Sequence, residues 1–234
     1  MSPRRVFIGY DPRQIASYTV CQHSLMKSSK VPLAITPLVL ETLPLKRVGL
    51  TPFTFSRFLV PWLCDFQGRA LFMDVDTMVR GDVGELFDMC DDTHALWVSK
   101  NKIRFEWASV MMFNNVACKI LSPEYIETAN GLHTIDWVSD KLVGSLPGGW
   151  NHLVGYDEPN KKAKLVHFTQ GVPNYPEMVG TEYSDEWQAL QRETMFTLPW
   201  QELMGPSVHA QPVMRRLMRE QRQKYDPTKF MAAG

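Results

Sequence analysis

The chain has 234 residues, 44% of them hydrophobic, with 25 Lys plus Arg against 25 Asp plus Glu and a formal net charge of zero. That length can bury a sizeable core, and the balanced charge excludes a global basic field of the kind that recruits nucleic acid or an anionic membrane. The four cysteines, Cys21, Cys64, Cys90 and Cys118, form no Cys-x-x-Cys pair, which argues against a zinc ribbon or a disulfide-stapled secreted domain and for buried, reduced thiols.

In chain order, Val6-Phe7-Ile8-Gly9 reads as a first buried strand, Tyr10-Asp11-Pro12 as a turn, and Gln14 to Met26 as a helix. Leu33 to Leu40, interrupted by Pro37, fits a strand near a sheet edge, and Phe55 to Leu63 a buried helix ending near Cys64. The run from Arg69 to Val79 is apolar enough for a strand buried on both faces, and it is punctuated by Asp74 and Asp76. Ala95 to Ser99, Ser109 to Phe113 and Lys164 to Phe168 are further candidate strands, and Gly144 to Pro159 reads as loop. Val213 to Tyr225 is a predicted helix carrying Arg215, Arg216, Arg219, Arg222 and Lys224. Strands alternating with helices predict an α/β domain with a mostly parallel central sheet flanked by helices, placed over residues 1–205, and a basic helical tail at 206–234. The N-terminus lacks the apolar stretch of a signal peptide and no segment approaches membrane-span length, so the expected location is the cytoplasm.

In open α/β sheets ligands gather beyond the carboxyl ends of the strands. Asp74 and Asp76 stand at such an end. A side-chain period of two lets both carboxylates face one side and share a hard divalent cation, although two solvated acids in a surface turn fit the same residues. His167 follows Leu165-Val166 at a predicted strand end, where a neutral imidazole can complete a metal sphere or serve a structural role. The Gly-x-Gly-x-x-Gly fingerprint is absent from Gly9 to Arg13, which argues against a nicotinamide dinucleotide. Tyr10 can stack on a base and Asp11 accept from a base or ribose; the alternative for Asp11 is an ordinary turn acid ahead of Pro12. Arg57 is a charge inside an apolar helix and must snorkel or pair, either with phosphate or sugar oxygens or with an acid elsewhere in the chain. Trp107 to Asn115 reads as core strand with polar ends, and the C-terminal basic helix as a solvated face, with an acidic acceptor or another subunit as the alternative contact.

Taken in order, these segments resemble the retaining, metal-dependent nucleotide-sugar glycosyltransferases of the glycosyltransferase 8 type, which have the GT-A fold. Phe7-Ile8-Gly9-Tyr10-Asp11 is similar to that family's uridine-binding strand and loop, and Phe55-Ser56-Arg57-Phe58-Leu59-Val60-Pro61 to its Tyr-x-Arg-like helix. Leu71 to Val79 resembles its Leu-Tyr-Leu-Asp-x-Asp-x-x-Val segment, Ser109 to Asn114 its Ser-x-x-Met-x-Phe-Asn strand, and His167 to Gly171 its His-x-x-Gly turn. The resemblance implies that Asp74, Asp76 and His167 ligate Mn²⁺, with Mg²⁺ as the second choice. It places Gly9, Tyr10, Asp11, Arg57, Asp74, Val75, Asn114 and Gly171 around a nucleotide sugar, Trp150 and Asn151 on the acceptor side, and Asp136 with Arg57 in catalytic roles. Two features depart from the family. Gly171 lies one residue late, and Val172-Pro173-Asn174-Tyr175 has no diphosphate-binding lysine; only Asp136-Trp137 stands for the family's Asp-Gln pair.

The implied activity is transfer of a sugar, with retention, from a nucleoside-diphosphate sugar, a UDP-sugar foremost. The acceptor is open among a glycan, a lipid-linked sugar, a protein and a modified nucleic-acid base. Two alternatives are a phosphatase of the haloacid-dehalogenase type with Asp74 as nucleophile and a nucleotide-sugar-binding protein without turnover.

Overall fold

The apolar runs become strands. In the computed structural model, which describes residues 2–224, these are β1 (Arg4–Gly9), β2 (Leu33–Leu38), β3 (Arg69–Met73), β4 (Thr77–Val79), β5 (Leu96–Ser99), β6 (Val110–Asn114), β7 (Val143–Leu146), β8 (His152–Leu153) and β9 (Leu165–His167). The α-helices are α1 (Ile15–Ser28), α2 (Phe53–Ser56), α3 (Val60–Leu63), α4 (Gly84–Met89), α5 (Pro123–Thr128), α6 (Ser184–Met195), α7 (Trp200–Met204) and α8 (Ala210–Lys224).

Six strands form the central sheet in the order β2-β1-β3-β6-β5-β7. β1 pairs in parallel with β2 and β3, and β5 with β7, while β6 alone runs the other way. The expected mostly parallel α/β sheet is present. β2 lies at its edge, where Pro37 costs no ladder bond to an outer neighbour. The expected helix from Phe55 to Leu63 is instead α2, a 3₁₀ turn over Arg57–Leu59, and α3. Pro61, without an N–H, sits where α3 begins and limits a continuous i to i−4 ladder.

The run from Arg69 to Val79 is two strands, not one. The chain leaves the central sheet after Met73, turns through Asp74, Val75 and Asp76, and continues as β4 in a second sheet of order β4-β9-β8. The Thr77 hydroxyl closes the turn by donating to the Asp74 carbonyl at 2.7 Å. The expected strand at Lys164 to Phe168 is β9 of this smaller sheet. Gly144 to Pro159, expected as loop, contains β7 and β8. Gly144 is there because a Cβ would stand 2.4 Å from the Trp97 ring of β5, so this glycine marks close strand approach and not a turn.

The main core lines both faces of the central sheet. A second cluster under the small sheet joins Met78, Val166 and Phe168 to Trp187 and Leu190 of α6. All four cysteines are free and buried. Packing divides the chain into residues 1–194 and 195–234. The second unit holds α7 and α8, with Arg216 and Glu220 one turn apart at 3.6 Å; of the helix expected from Val213 to Tyr225, Tyr225 lies outside the described residues. Among the described residues no helix is long and apolar enough to cross a membrane.

Candidate functional site

Two backbone joints aim the candidate ligand side chains. The Asp74 N–H donates to the Ser109 carbonyl at 2.9 Å, tying the end of β3 to the start of β6, and the Phe168 N–H donates to the Asp76 carbonyl at 3.0 Å. Antiparallel pairing of β4 with β9 sets His167 opposite Thr77, and so beside Asp76. Asp74, Asp76 and His167 each present one ligand atom, all within 4.8 Å of one another. Both carboxylates reach the same side through the turn, and not through the alternation along one strand that a side-chain period of two predicts.

The chemistry of this set fits a divalent cation. Oδ1 of Asp74 and Oδ1 of Asp76 are buried and accept no well-directed hydrogen bond among the described residues, the groups nearest them being Arg57 at 3.0 Å and His167 at 3.2 Å, and such a buried carboxylate pair gains from a shared positive ion. His167 Nε2 stands 3.2 Å from Asp76 Oδ1, while Nδ1 is 3.1 Å from Asn151 Oδ1. Nδ1–H thus donates to the Asn151 amide oxygen, which leaves Nε2 as the atom free to ligate.

Charge compensation is internal. Arg57 Nη1 lies 3.0 Å from Asp74 Oδ1 and donates to Oδ2 at 3.2 Å and to the Ala108 carbonyl at 2.9 Å. The predicted buried charge therefore pairs with the predicted ligand. Burial pushes the Asp74 carboxyl up to about 6 against the pull of Arg57, with Asp76 adding to the rise. For His167 burial favours the neutral ring, but Asp76, Asp74 and Glu106 together raise its pKa to about 9. A divalent ion held by these residues would displace that proton.

These groups open into a cleft of about 340 Å³ that is also lined by Gln14, Phe105, Glu106 and His133. Glu106 and His133 were not anticipated. Glu106 accepts the Ser109 hydroxyl at 2.8 Å and the Thr169 hydroxyl at 2.9 Å, and lies 3.7 Å from His167 Nδ1. Its one sequence signal is a charge directly before the apolar segment that begins at Trp107. His133 stacks on Phe105 at 4.9 Å and 9° and meets Phe55 and Phe58 edge-on. Burial, with help from Arg57 and Arg47, pushes its pKa down to about 4; a lone histidine in a loop carries no pattern that predicts this.

Of the remaining expected residues, Gly171 (φ +126) lines the cleft and Val75 is fully buried in the turn between the two aspartates. The structure does not gather the others there. Gly9 packs under Phe53, where a Cβ would be 2.6 Å from the ring. Tyr10 meets Tyr18 edge-on, and Asp11 has both oxygens engaged by Arg13, whose hydrogen bonds hold its carboxyl below the usual range. Asn114 pairs with Arg69 at the far end of β3 because β6 is antiparallel. Trp150 is buried beneath Lys164, and Asn151 faces His167 and the Glu106 carbonyl from inside the protein. Asp136 is exposed and accepts from the Thr134 hydroxyl at 2.6 Å, so it shapes its own loop.

No family model matches the sequence. Protein CDI of Arabidopsis thaliana is 35% identical, over 79% of this chain and 85% of that protein. The chain belongs to the CDI family. Its fold is the GT-A fold of known glycosyltransferases. The bifunctional glycosyltransferase WbbM aligns with a TM-score of 0.64 at 16% identity, over 87% of this chain. GlyE of Streptococcus pneumoniae TIGR4 aligns at 0.59 with 18% identity over 81%, and the galactosyltransferase LgtC, solved with donor and acceptor sugar analogs, at 0.57 with 10% identity over 85%. This CDI-family chain spans 51% of WbbM, 60% of GlyE and 99% of LgtC. A haloacid-dehalogenase-type architecture, and with it the phosphatase alternative for Asp74, is set aside by this fold.

Proposed function

We propose that the chain transfers a sugar, with retention, from a nucleoside-diphosphate sugar, a UDP-sugar foremost, to an acceptor, and that Asp74, Asp76 and His167 hold the divalent ion it needs, Mn²⁺ before Mg²⁺. The observation that carries this reading is the pair of carboxylates, one oxygen of each buried, that gathers with an imidazole beyond the carboxyl end of a central strand of a GT-A fold. When bound, the ion supplies Lewis-acid stabilisation of charge on the departing diphosphate.

The chain's own groups divide the remaining work. Arg57 neutralises Asp74, and among the described residues it is the one Lys or Arg lining the cleft, so it is the protein cation available to a phosphate oxygen where the lysine after Gly171 is missing. Asn151 holds the His167 tautomer. Glu106 clamps Ser109 to Thr169, and so fixes the loop after β9 against the start of β6. Val75 and Gly171 contribute backbone to the donor pocket. The transferase unit occupies residues 1–205, and the basic tail at 206–234 lies outside the chemistry.

The test is thermal unfolding with Mn²⁺, UDP and both together, followed by assay of UDP-sugar hydrolysis. Ligand at a hundred times its Kd adds about 2.7 kcal/mol of stability. The reading predicts a synergistic shift, and hydrolysis that disappears in Asp76→Asn. No shift with UDP and Mn²⁺ sinks it; a shift without hydrolysis or transfer makes the chain a binding protein.

A further inference from the structure

His133 has no role in the metal centre, yet it is built into the cleft wall with unusual care. Its ring is held on three sides by Phe105, Phe55 and Phe58, and its Nε2 is buried with no hydrogen-bond partner among the described residues. The loop that carries it is pinned from both ends. Arg47 donates to the Ile126 and Ala129 carbonyls at 2.9 and 2.7 Å and lies 3.8 Å over the Phe55 ring. Beyond the histidine, Arg104 donates to the Thr134 carbonyl at 2.9 Å, and the Asp136 N–H donates to the Gly131 carbonyl at 3.0 Å. Between them Ile135 is fully buried at φ +61, a left-handed conformation that a β-branched residue adopts only where its surroundings impose it.

An aromatic wall that includes an imidazole suits a ligand that offers both an apolar face and a hydroxyl. A pyranose has both. The position agrees. Asp74 ends β3; β1 lies on one side of it, and β6 and β5 on the other. Phe105 belongs to the β5–β6 connection, and it and His133 line the same cleft as Gln14, Arg57 and both carboxylates. A donor whose nucleoside lies toward Gln14 and whose diphosphate meets Asp74 and Asp76 directs its sugar to that wall.

We propose that His133 is a specificity-determining contact of the transferase site, hydrogen-bonding a hydroxyl of the transferred sugar while Phe105 and its aromatic neighbours cover the sugar's apolar face. This rests on the sugar-transfer reading and goes beyond it, since it assigns the group that tells an intact sugar nucleotide from the bare nucleoside diphosphate.

The test is the ratio of two affinities, a readout that general destabilisation does not move. Titration of the full chain with Mn²⁺ present gives Kd for UDP and for each of UDP-glucose, UDP-galactose, UDP-xylose and UDP-N-acetylglucosamine. The best of these sugar nucleotides should bind the wild type more tightly than UDP. In His133→Phe, which keeps the aromatic stack and removes the ring nitrogens, affinity for UDP should stay at the wild-type value while affinity for that sugar nucleotide falls about tenfold, the effect of one lost hydrogen bond in a buried site. His133→Gln should restore part of it, and His133→Leu replaces the phenylalanine variant if that ring is not accommodated. An unchanged ratio in the folded variant, or a wild type that binds no intact sugar nucleotide more tightly than UDP, overturns the proposal. A wild type that binds neither UDP nor any sugar nucleotide fails the sugar-transfer reading itself, and is recognised by that outcome.

Discussion

Arg57 and Asp74 are buried together, with 7% and 10% of their side-chain surfaces exposed, and neither charge is stable there without the other. Arg57→Leu should therefore cost about 3–5 kcal/mol, the usual penalty for orphaning one member of a buried pair, read by urea denaturation at neutral pH. Asn151→Ala removes the partner that fixes His167 without touching the ligand atoms. Its expected effect is a loss of about 10–100-fold in Mn²⁺ affinity with the fold intact, measured by calorimetric titration; unchanged affinity would show that Asn151 does not orient His167. His133 supplies a pH prediction. Its folded pKa, about 4, lies below the unfolded value of about 6.5, so between these the unfolded chain binds more protons and stability falls as the pH is lowered through that window. His133→Phe should show a smaller loss of stability between pH 7 and pH 4.5 than the wild type, by denaturant melts at the two pH values. Arg57 was visible in the sequence as a charge with an obligation to pair, but its partner was not. A side chain reports its own need, and only the fold says who meets it.

The decisive element is the β4–β9 ladder. It puts His167 opposite Thr77 and beside Asp76, and it is backed by Phe168 and Trp187, both fully buried. Trp187→Ala on α6 should cost about 3–5 kcal/mol and weaken Mn²⁺ binding in the same variant, because the cavity lies under the strand that carries His167. Melting and metal titration on one preparation check both halves; lost stability with unaltered Mn²⁺ affinity would show that the ladder holds the histidine without α6. The strands β1, β2, β3, β5 and β6 were legible because apolar runs of four or more residues have few other uses in a chain of this size. β7 and β8 were not. Gly144, a turn signal by composition, is a concession to the Trp97 ring, and β8 has only two residues. The break in the Asp74 to Asp76 turn was hidden by apolar residues on both sides, since a strand that changes sheet is as hydrophobic as one that does not.

At the scale of the whole molecule, the cleft and every residue assigned a part in it lie within residues 1–194, the first of the two packed units. A fragment ending at Thr194 should fold cooperatively and bind Mn²⁺ with the affinity of the full chain; calorimetric unfolding and metal titration check this, and a fragment that folds but binds metal poorly would assign residues 195–234 a share in the site. The amino-acid sequence by itself determined the α/β class, the apolar strands and the residue types able to hold a hard cation, because burial and ligand chemistry are properties of a local pattern. Only the tertiary structure showed that the expected Asp74, Asp76 and His167 meet, why Asn114, Tyr10, Asp11 and Asp136 stand apart, that Glu106 and His133 line the cleft, and that Asn151 holds His167 from behind it. Those contacts depend on strand order and register between distant segments, where one reversed strand moves Asn114 to the opposite end of the sheet and one ladder brings His167 to Asp76.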